Sequence, residues 1–263
     1  MFVRRGESNQ IVLPPEIHMA RTTPATVGGA AFAPSDIAGL VAWFDASAES
    51  FNDDDAVGTA TDQSGNGNDA VQTTEAKKPT YKTGILGGNA VFRFDGSADV
   101  LVTAGGVLSA NTADFSAFFV VANYTASSNN NRPWSVGYDV SGGAIEMVSY
   151  GFDSTSVHSI RFDGAARTFS QADTDPSLIG VLRDTAFTEA IVARFNGSEV
   201  LAEGTDSTDN TLGNSRVSMG GSKGGSEQNF GGDVGEMVIY ESFVSGGDIT
   251  SLETYLNDKW SVY

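Results

Sequence analysis

Asp62, Ser64 and Asn66 place side-chain oxygens at alternate positions of the run Asp62-Gln63-Ser64-Gly65-Asn66-Gly67. Oxygen donors at this spacing, with a glycine at the sharp turn, open a calcium loop, so Ca2+ is the candidate cofactor and these three residues its candidate ligands. The bidentate glutamate that completes such a loop belongs at its twelfth position, which here is Thr73; Glu75 misses it. A second reading needs no metal. Gly65 and Gly67 admit positive φ, and Asp62 or Asn66 can bond nearby backbone N–H groups in a turn between strands.

Hydrolysis of glycans calls for two carboxylates facing one cleft. On a strand, alternate positions share a face, so Glu-x-Asp would supply them. No glutamate in this chain is followed two positions later by aspartate, and Glu146 and Glu236 stand alone on their expected strands. The imidazoles are His18 and His158, with Ser156 two positions from the latter. There is no cysteine, hence no disulfide, thiolate nucleophile or thiolate metal site. These residues predict a non-enzymatic chain.

Sugar binding asks for an aromatic face for the apolar side of the ring and for amides or charged groups for its hydroxyls. The stretch Asn129-Asn130-Asn131-Arg132-Pro133-Trp134-Ser135-Val136-Gly137-Tyr138 offers both. Arg132, Trp134 and Tyr138 are its candidate ligand-binding residues. The competing role for Trp134 and Tyr138 is core or rim packing.

The elements that must position these groups follow from composition. The 263 residues include 31 glycines and 16 phenylalanines, which suits many short strands joined by tight turns around a sizeable core. Val91-Phe92-Arg93-Phe94 alternates, with the phenylalanines on the expected core face. Asn196-Gly197 between apolar runs predicts a hairpin, because both residues accept positive φ. Ile249, Leu252, Leu256 and Trp260 recur at helical spacing and predict a helix over residues 248–259.

Residues 1–34 differ from the rest. They hold four of the seven prolines (Pro14, Pro15, Pro24, Pro34) and no alternating pattern. Such a segment cannot bury a core and is expected to act as an arm that orders against a partner, through Arg4, Arg5, Ile11, Leu13 and Ile17. The formal net charge is −18, and a body this acidic is repelled by nucleic-acid phosphates. No apolar run is long enough to span a bilayer, so no membrane partner is expected, and the first residues lack the apolar core of a secretory signal.

The order of motifs carries a family resemblance. Residues 39–47 (GLVAWFDAS), 62–70 (DQSGNGNDA), Pro79 and 91–99 (VFRFDGSAD) resemble the opening of a laminin-G-like, concanavalin-A-like domain. Residues 230–240 and the helix with Leu252, Tyr255, Leu256, Lys259 and Trp260 are similar to its closing strand and its terminal LxxYLxxKW helix. The resemblance covers residues 35–263. It implies an all-β, two-sheet jelly-roll sandwich with one C-terminal helix, preceded by the irregular arm of residues 1–34.

The resulting expectation is a virion protein of a bacterial virus, such as a capsid decoration, head fibre or tail-associated subunit. It would be a homo-oligomer docked on other virion proteins by its arm, with the jelly roll facing host-surface glycans. The alternative is a carbohydrate-binding module or adhesin domain of a secreted or cell-surface bacterial protein.

Overall fold

The computed structural model describes residues 31–109, 114–124, 131–140, 143–154, 157–162, 165–172, 175–185, 191–203, 215–221 and 229–263. Arg4, Arg5, Ile11, Leu13 and Ile17 lie outside the described residues, as does Ser156. Phe32–Tyr263 form one compact unit.

Among the described residues the strands assemble into two antiparallel sheets that make a sandwich. One contains β1 (Leu40–Asp45), β4 (Thr80–Leu86), β5 (Asn89–Asp95), β7 (Phe115–Ala122), β12 (Ser177–Arg183), β13 (Ile191–Phe195), β14 (Ser198–Glu203) and β16 (Gly231–Tyr240). Its order is β14-β13-β12-β7-β16-β5-β4, and β1 also pairs with β16. The other contains β2 (Thr59–Ala60), β3 (Ala70–Val71), β6 (Leu101–Thr103), β8 (Asn131–Val140), β9 (Gly143–Ser154), β10 (Val157–Phe162), β11 (Ala165–Ser170) and β15 (Arg216–Met219), in the order β11-β10-β9-β8-β15-β6-β3-β2.

β16 is shared in an unusual way. Its first half, Gly231 to Val234, pairs with β5, and its second half, Glu236 to Tyr240, pairs with β1. β7 runs along the opposite edge for nearly the whole length. Gly235 marks the changeover. A Cβ there would stand 2.9 Å from the indole ring of Trp260, which is closer than side chains approach in a close-packed interior.

The helix α1 (Gly246–Trp260) begins two residues before the expected span and buries Leu252, Leu256 and Trp260. These pack on Val91, Phe118, Val120, Leu178, Leu182 and Val238, on the outer face of the first sheet. The inner faces of the two sheets enclose the main core, which includes Phe44, Phe92, Phe119, Trp134, Tyr150, Phe152 and Met237. β7 and β12 are therefore covered on both sides, and every residue of each is buried. This is why Phe115-Ser-Ala-Phe-Phe-Val-Val-Ala122 reads as a continuous apolar run.

The Asn196-Gly197 hairpin forms between β13 and β14 with φ of 46° and 75° at its two central residues. One segment departs from expectation. The asparagine-rich stretch read as a source of ligand-binding residues continues into β8, a ten-residue strand between β9 and β15. Among the described residues no helix is long and apolar enough to cross a membrane.

Candidate functional site

The run that begins at Asp62 is a turn locked onto β1. The Asp62 carboxylate accepts from the backbone N–H of Trp43 (3.0 Å), Ser64 (2.9 Å) and Asn68 (2.9 Å) and from the Ser64 hydroxyl (2.8 Å). Asn66 Nδ2 donates to the Leu40 carbonyl at 3.0 Å, and Asn68 Nδ2 to the Val41 carbonyl at 2.8 Å. Four donors already occupy the two Asp62 oxygens, and the Asn66 amide presents its N–H face to the backbone. A cation would have to displace these bonds, so Asp62, Ser64 and Asn66 serve the turn and the calcium reading is set aside.

The candidate ligand residues on β8 also resolve differently. Trp134 has no exposed surface and packs edge-on against Phe119, with ring centroids 5.5 Å apart. An indole in the sandwich interior has no face for a sugar ring, which corrects the expectation. Arg132 is likewise fully buried, beside Gly151 of β9. Tyr138 lies on β8, and its side chain is outside the described residues. His158 is enclosed by Tyr150, Phe152, Phe169 and Phe195 and bonds the Tyr150 hydroxyl through Nδ1.

Glu236 is committed to the framework. It is fully buried on β16 and accepts from Trp43 Nε1 (2.7 Å), Tyr255 OH (3.1 Å), Lys259 Nζ (2.8 Å) and Trp260 Nε1 (2.6 Å). Burial pushes its carboxyl upward while the Lys259 ammonium opposes that shift.

An open polar cleft lies at one end of the sandwich, where β5 and β7 finish and β8 and β16 begin. It measures about 620 Å3 and is lined by Arg93, Asp95, Asn123, Asn131 and Asn229, with Phe94, Gly96, Gly231 and Gly232. Arg93 and the fully buried Asp233 form a bidentate pair with both bonds at 2.7 Å, and this pairing raises the Arg93 pKa. Asn123 Nδ2 donates to the same Asp233 carboxylate at 2.6 Å. Asn123 holds φ at 50°, a left-handed conformation that asparagine tolerates better than most residues. On the far wall Asn229 Nδ2 donates to the Ser97 carbonyl.

The β5–β6 turn beside the cleft is built by two aspartates. Asp95 Oδ1 accepts from the N–H groups of Ser97 (2.8 Å), Ala98 (3.0 Å) and Asp99 (3.3 Å). Burial pushes the Asp95 carboxyl up, but those N–H groups outweigh it and hold the pKa below the usual value. Among the described residues Asp99 accepts the Asp95 N–H alone, at 3.0 Å. Burial, and then the Asp95 charge, push it up to about 6.

The folded pKa of Asp99 exceeds its unfolded value of about 4, so ionised Asp99 costs stability above that range and nothing below it. Asp99→Asn is therefore expected to raise the unfolding free energy by about 1–2 kcal/mol at pH 7. The gain should fade between pH 6 and pH 4, as read by urea unfolding across that range. An equal gain at both ends would contradict the assignment.

The cleft assembles amides, a guanidinium, a carboxylate and backbone at the end of a rigid scaffold, a set that can donate to and accept from vicinal hydroxyls. Its residues come from four separate stretches of chain, so no local motif announces them. The nearest sequence signal was the Asn129–Tyr138 stretch, whose Asn131 is part of the lining.

No protein-family model and no curated protein sequence matches the chain. Solved structures share its fold. Trypanosoma rangeli sialidase in complex with sialic acid superimposes with a TM-score of 0.58 at 14% identity, over 82% of this chain and 33% of that one. The same enzyme with 2,3-difluorosialic acid gives 0.56 at 16% identity, over 89% and 35%. Domain 4 of AbnA, a GH43 extracellular arabinanase of Geobacillus stearothermophilus, in complex with arabinotriose, gives 0.55 at 16% identity, over 81% of this chain and 98% of that domain.

The chain thus spans about a third of the length of the sialidases it matches, and nearly all of the arabinanase domain. These likenesses are of fold. They also correct an expectation: the chain was expected to be non-enzymatic from its lack of a paired-carboxylate strand, yet structures of its fold include sialidases, so that exclusion does not stand.

Proposed function

We propose that this chain is a carbohydrate-binding β-sandwich module and that the cleft lined by Arg93, Asn123, Asn131 and Asn229 holds the sugar. The observation that carries the reading is the cleft itself, a concave site lined by three asparagines at the end of a rigid double sheet. The likeness to an arabinanase domain bound to arabinotriose, over nearly the whole of that domain, supports it.

Charge narrows the ligand. The Arg93 guanidinium is already neutralised by Asp233, and Asp95 adds a negative charge to the lining. An acidic sugar would meet net repulsion there, in a chain that carries −18 overall. The ligands are therefore uncharged oligosaccharides, the class to which arabinotriose belongs.

The test is calorimetric titration of the full chain with arabinotriose and a panel of neutral oligosaccharides, with 3′-sialyllactose as the acidic comparison and product analysis to register any cleavage. A neutral sugar should bind saturably. Asn123→Gly keeps the positive φ and removes the amide; combined with Asn229→Ala it should weaken binding about tenfold, or about 1.4 kcal/mol. Unchanged affinity in the double variant would move the site elsewhere, and the absence of binding across the panel would end the reading.

The placement in a bacterial virion rested on residues 1–34 as a docking arm. We also propose that residues 1–34 act as such an arm on partner proteins; deletion of residues 1–30 should leave the sandwich folded and abolish incorporation into particles, and unchanged incorporation would overturn the role.

A further inference from the structure

The group of side chains between β1, β16 and α1 is more than an ion pair. One lysine, Lys259, faces two carboxylates: Nζ lies 2.5 Å from Asp45 Oδ2 and 2.8 Å from Glu236 Oε2. The side chains of Asp45 and Glu236 are 8% and 0% exposed and that of Lys259 20%. The rings of Trp260 and Tyr255 stand 5.2 and 5.4 Å from the ammonium.

Each polar atom in the group has a distinct setting. Asp45 Oδ1 accepts from the Ser47 N–H at 2.9 Å and the Ser47 hydroxyl at 2.6 Å. Asp45 Oδ2 faces the amine. Glu236 is fixed by two indole N–H groups and a phenol, so its carboxylate cannot swing away from Nζ.

We propose that Lys259 and Asp45 join in an intramolecular isopeptide bond, with Glu236 as the group that moves the proton. The arrangement supplies each part of an amide-forming site. In the first step a proton passes from Lys259 Nζ to Asp45 Oδ2, which lie 2.5 Å apart. The Nζ lone pair attacks Asp45 Cγ, and the carbonyl electrons move onto Oδ1, where the two Ser47 donors meet the developing negative charge as an oxyanion hole does. Glu236 takes a proton from Nζ and returns it to Oδ2. The Cγ–Oδ2 bond then breaks, water leaves and the carbonyl re-forms. One ammonium and one carboxylate become one amide and one water, with no oxidant or external reagent.

The bond would tie β1 to α1 across 214 residues of sequence, in a chain with no cysteine for a disulfide. The inference does not depend on the sugar-binding reading.

The experiment is intact-mass spectrometry of the full chain after denaturation, followed by digestion and fragmentation. The expected result is a chain one water lighter than its sequence, with a branched peptide joining Asp45 to Lys259. Lys259→Arg keeps the charge but cannot form the amide and should have its full sequence mass, and Glu236→Gln should leave the bond unmade. A wild-type chain of full mass would overturn the proposal and leave an ion pair. So would a water loss that maps to an Asp–Gly succinimide, for example at Asp95-Gly96. A bond that still forms in Glu236→Gln would overturn the assigned role of Glu236.

Discussion

Glu236→Ala is expected to lower the free energy of unfolding by about 3–5 kcal/mol, one of the larger effects a single substitution can have in this domain. The fully buried carboxylate accepts from Trp43, Tyr255, Lys259 and Trp260, which come from β1 and α1. Truncation leaves two indole N–H groups and a hydroxyl without their acceptor, and a buried donor such as Trp260 Nε1 costs about 1–3 kcal/mol when unmade, though such costs are not additive. The helix is held to the sheet by the same contacts, so urea unfolding followed by circular dichroism and by tryptophan fluorescence should show both transitions moving together. A loss below about 1 kcal/mol would mean that water replaces the carboxylate, and that the group matters little to the fold.

Gly220→Ala should cost about 2–4 kcal/mol and weaken the cleft at the same time. Gly220 follows β15 at φ +88°, a conformation in which a Cβ carries a penalty of about 1–2 kcal/mol. That Cβ would also drive into the Phe94 ring and stand 2.9 Å from the Asp99 carbonyl, adding an overpacking cost of about 1–3 kcal/mol. Phe94 lines the cleft. The backbone N–H of Gly220 is bonded to the Pro133 carbonyl, and its own carbonyl accepts from Phe230, so the chain cannot shift to relieve the clash. Thermal unfolding and the titration of the proposed sugar should both report the change; a variant that melts and binds as the parent does would show the interior to be softer there than its packing suggests.

The architecture was legible where one physical signal dominated. Alternation placed Phe92 and Phe94 on the core face of β5, and Asn196-Gly197 fixed a hairpin that needs positive φ. The helix could be read from Leu252, Leu256 and Trp260. β8 was misread because Asn, Arg and Pro dominate its beginning and those residues are poor strand formers. Its strand character comes from its neighbours: β9 and β15 pair with it on either side, Trp134 and Val136 point into the core, and Pro133 sits where the register shifts.

The site was less legible than the fold. Asp62 has the composition of a metal ligand, but its lone pairs are taken by backbone groups of Trp43 and Asn68, whose approach depends on the tertiary fold. Trp134 has the side chain of a sugar plate and the position of a core residue, and period alone cannot say which face of a strand is covered. The cleft residues Arg93, Asn123, Asn131 and Asn229 have no regular spacing. They meet because β5, β7, β8 and β16 end at the same edge of the sandwich.

The central position of β16 bears on how the molecule is born. Until Gly231–Tyr240 has been synthesised, β7 lacks the partner on one flank, β5 is paired only with β4, and β1, made long before, has no strand to pair with. Pairings this distant in sequence form slowly, so a growing chain on the ribosome would wait with open edges, and molecular chaperones that shield such edges would have their longest opportunity on this protein just before that segment emerges.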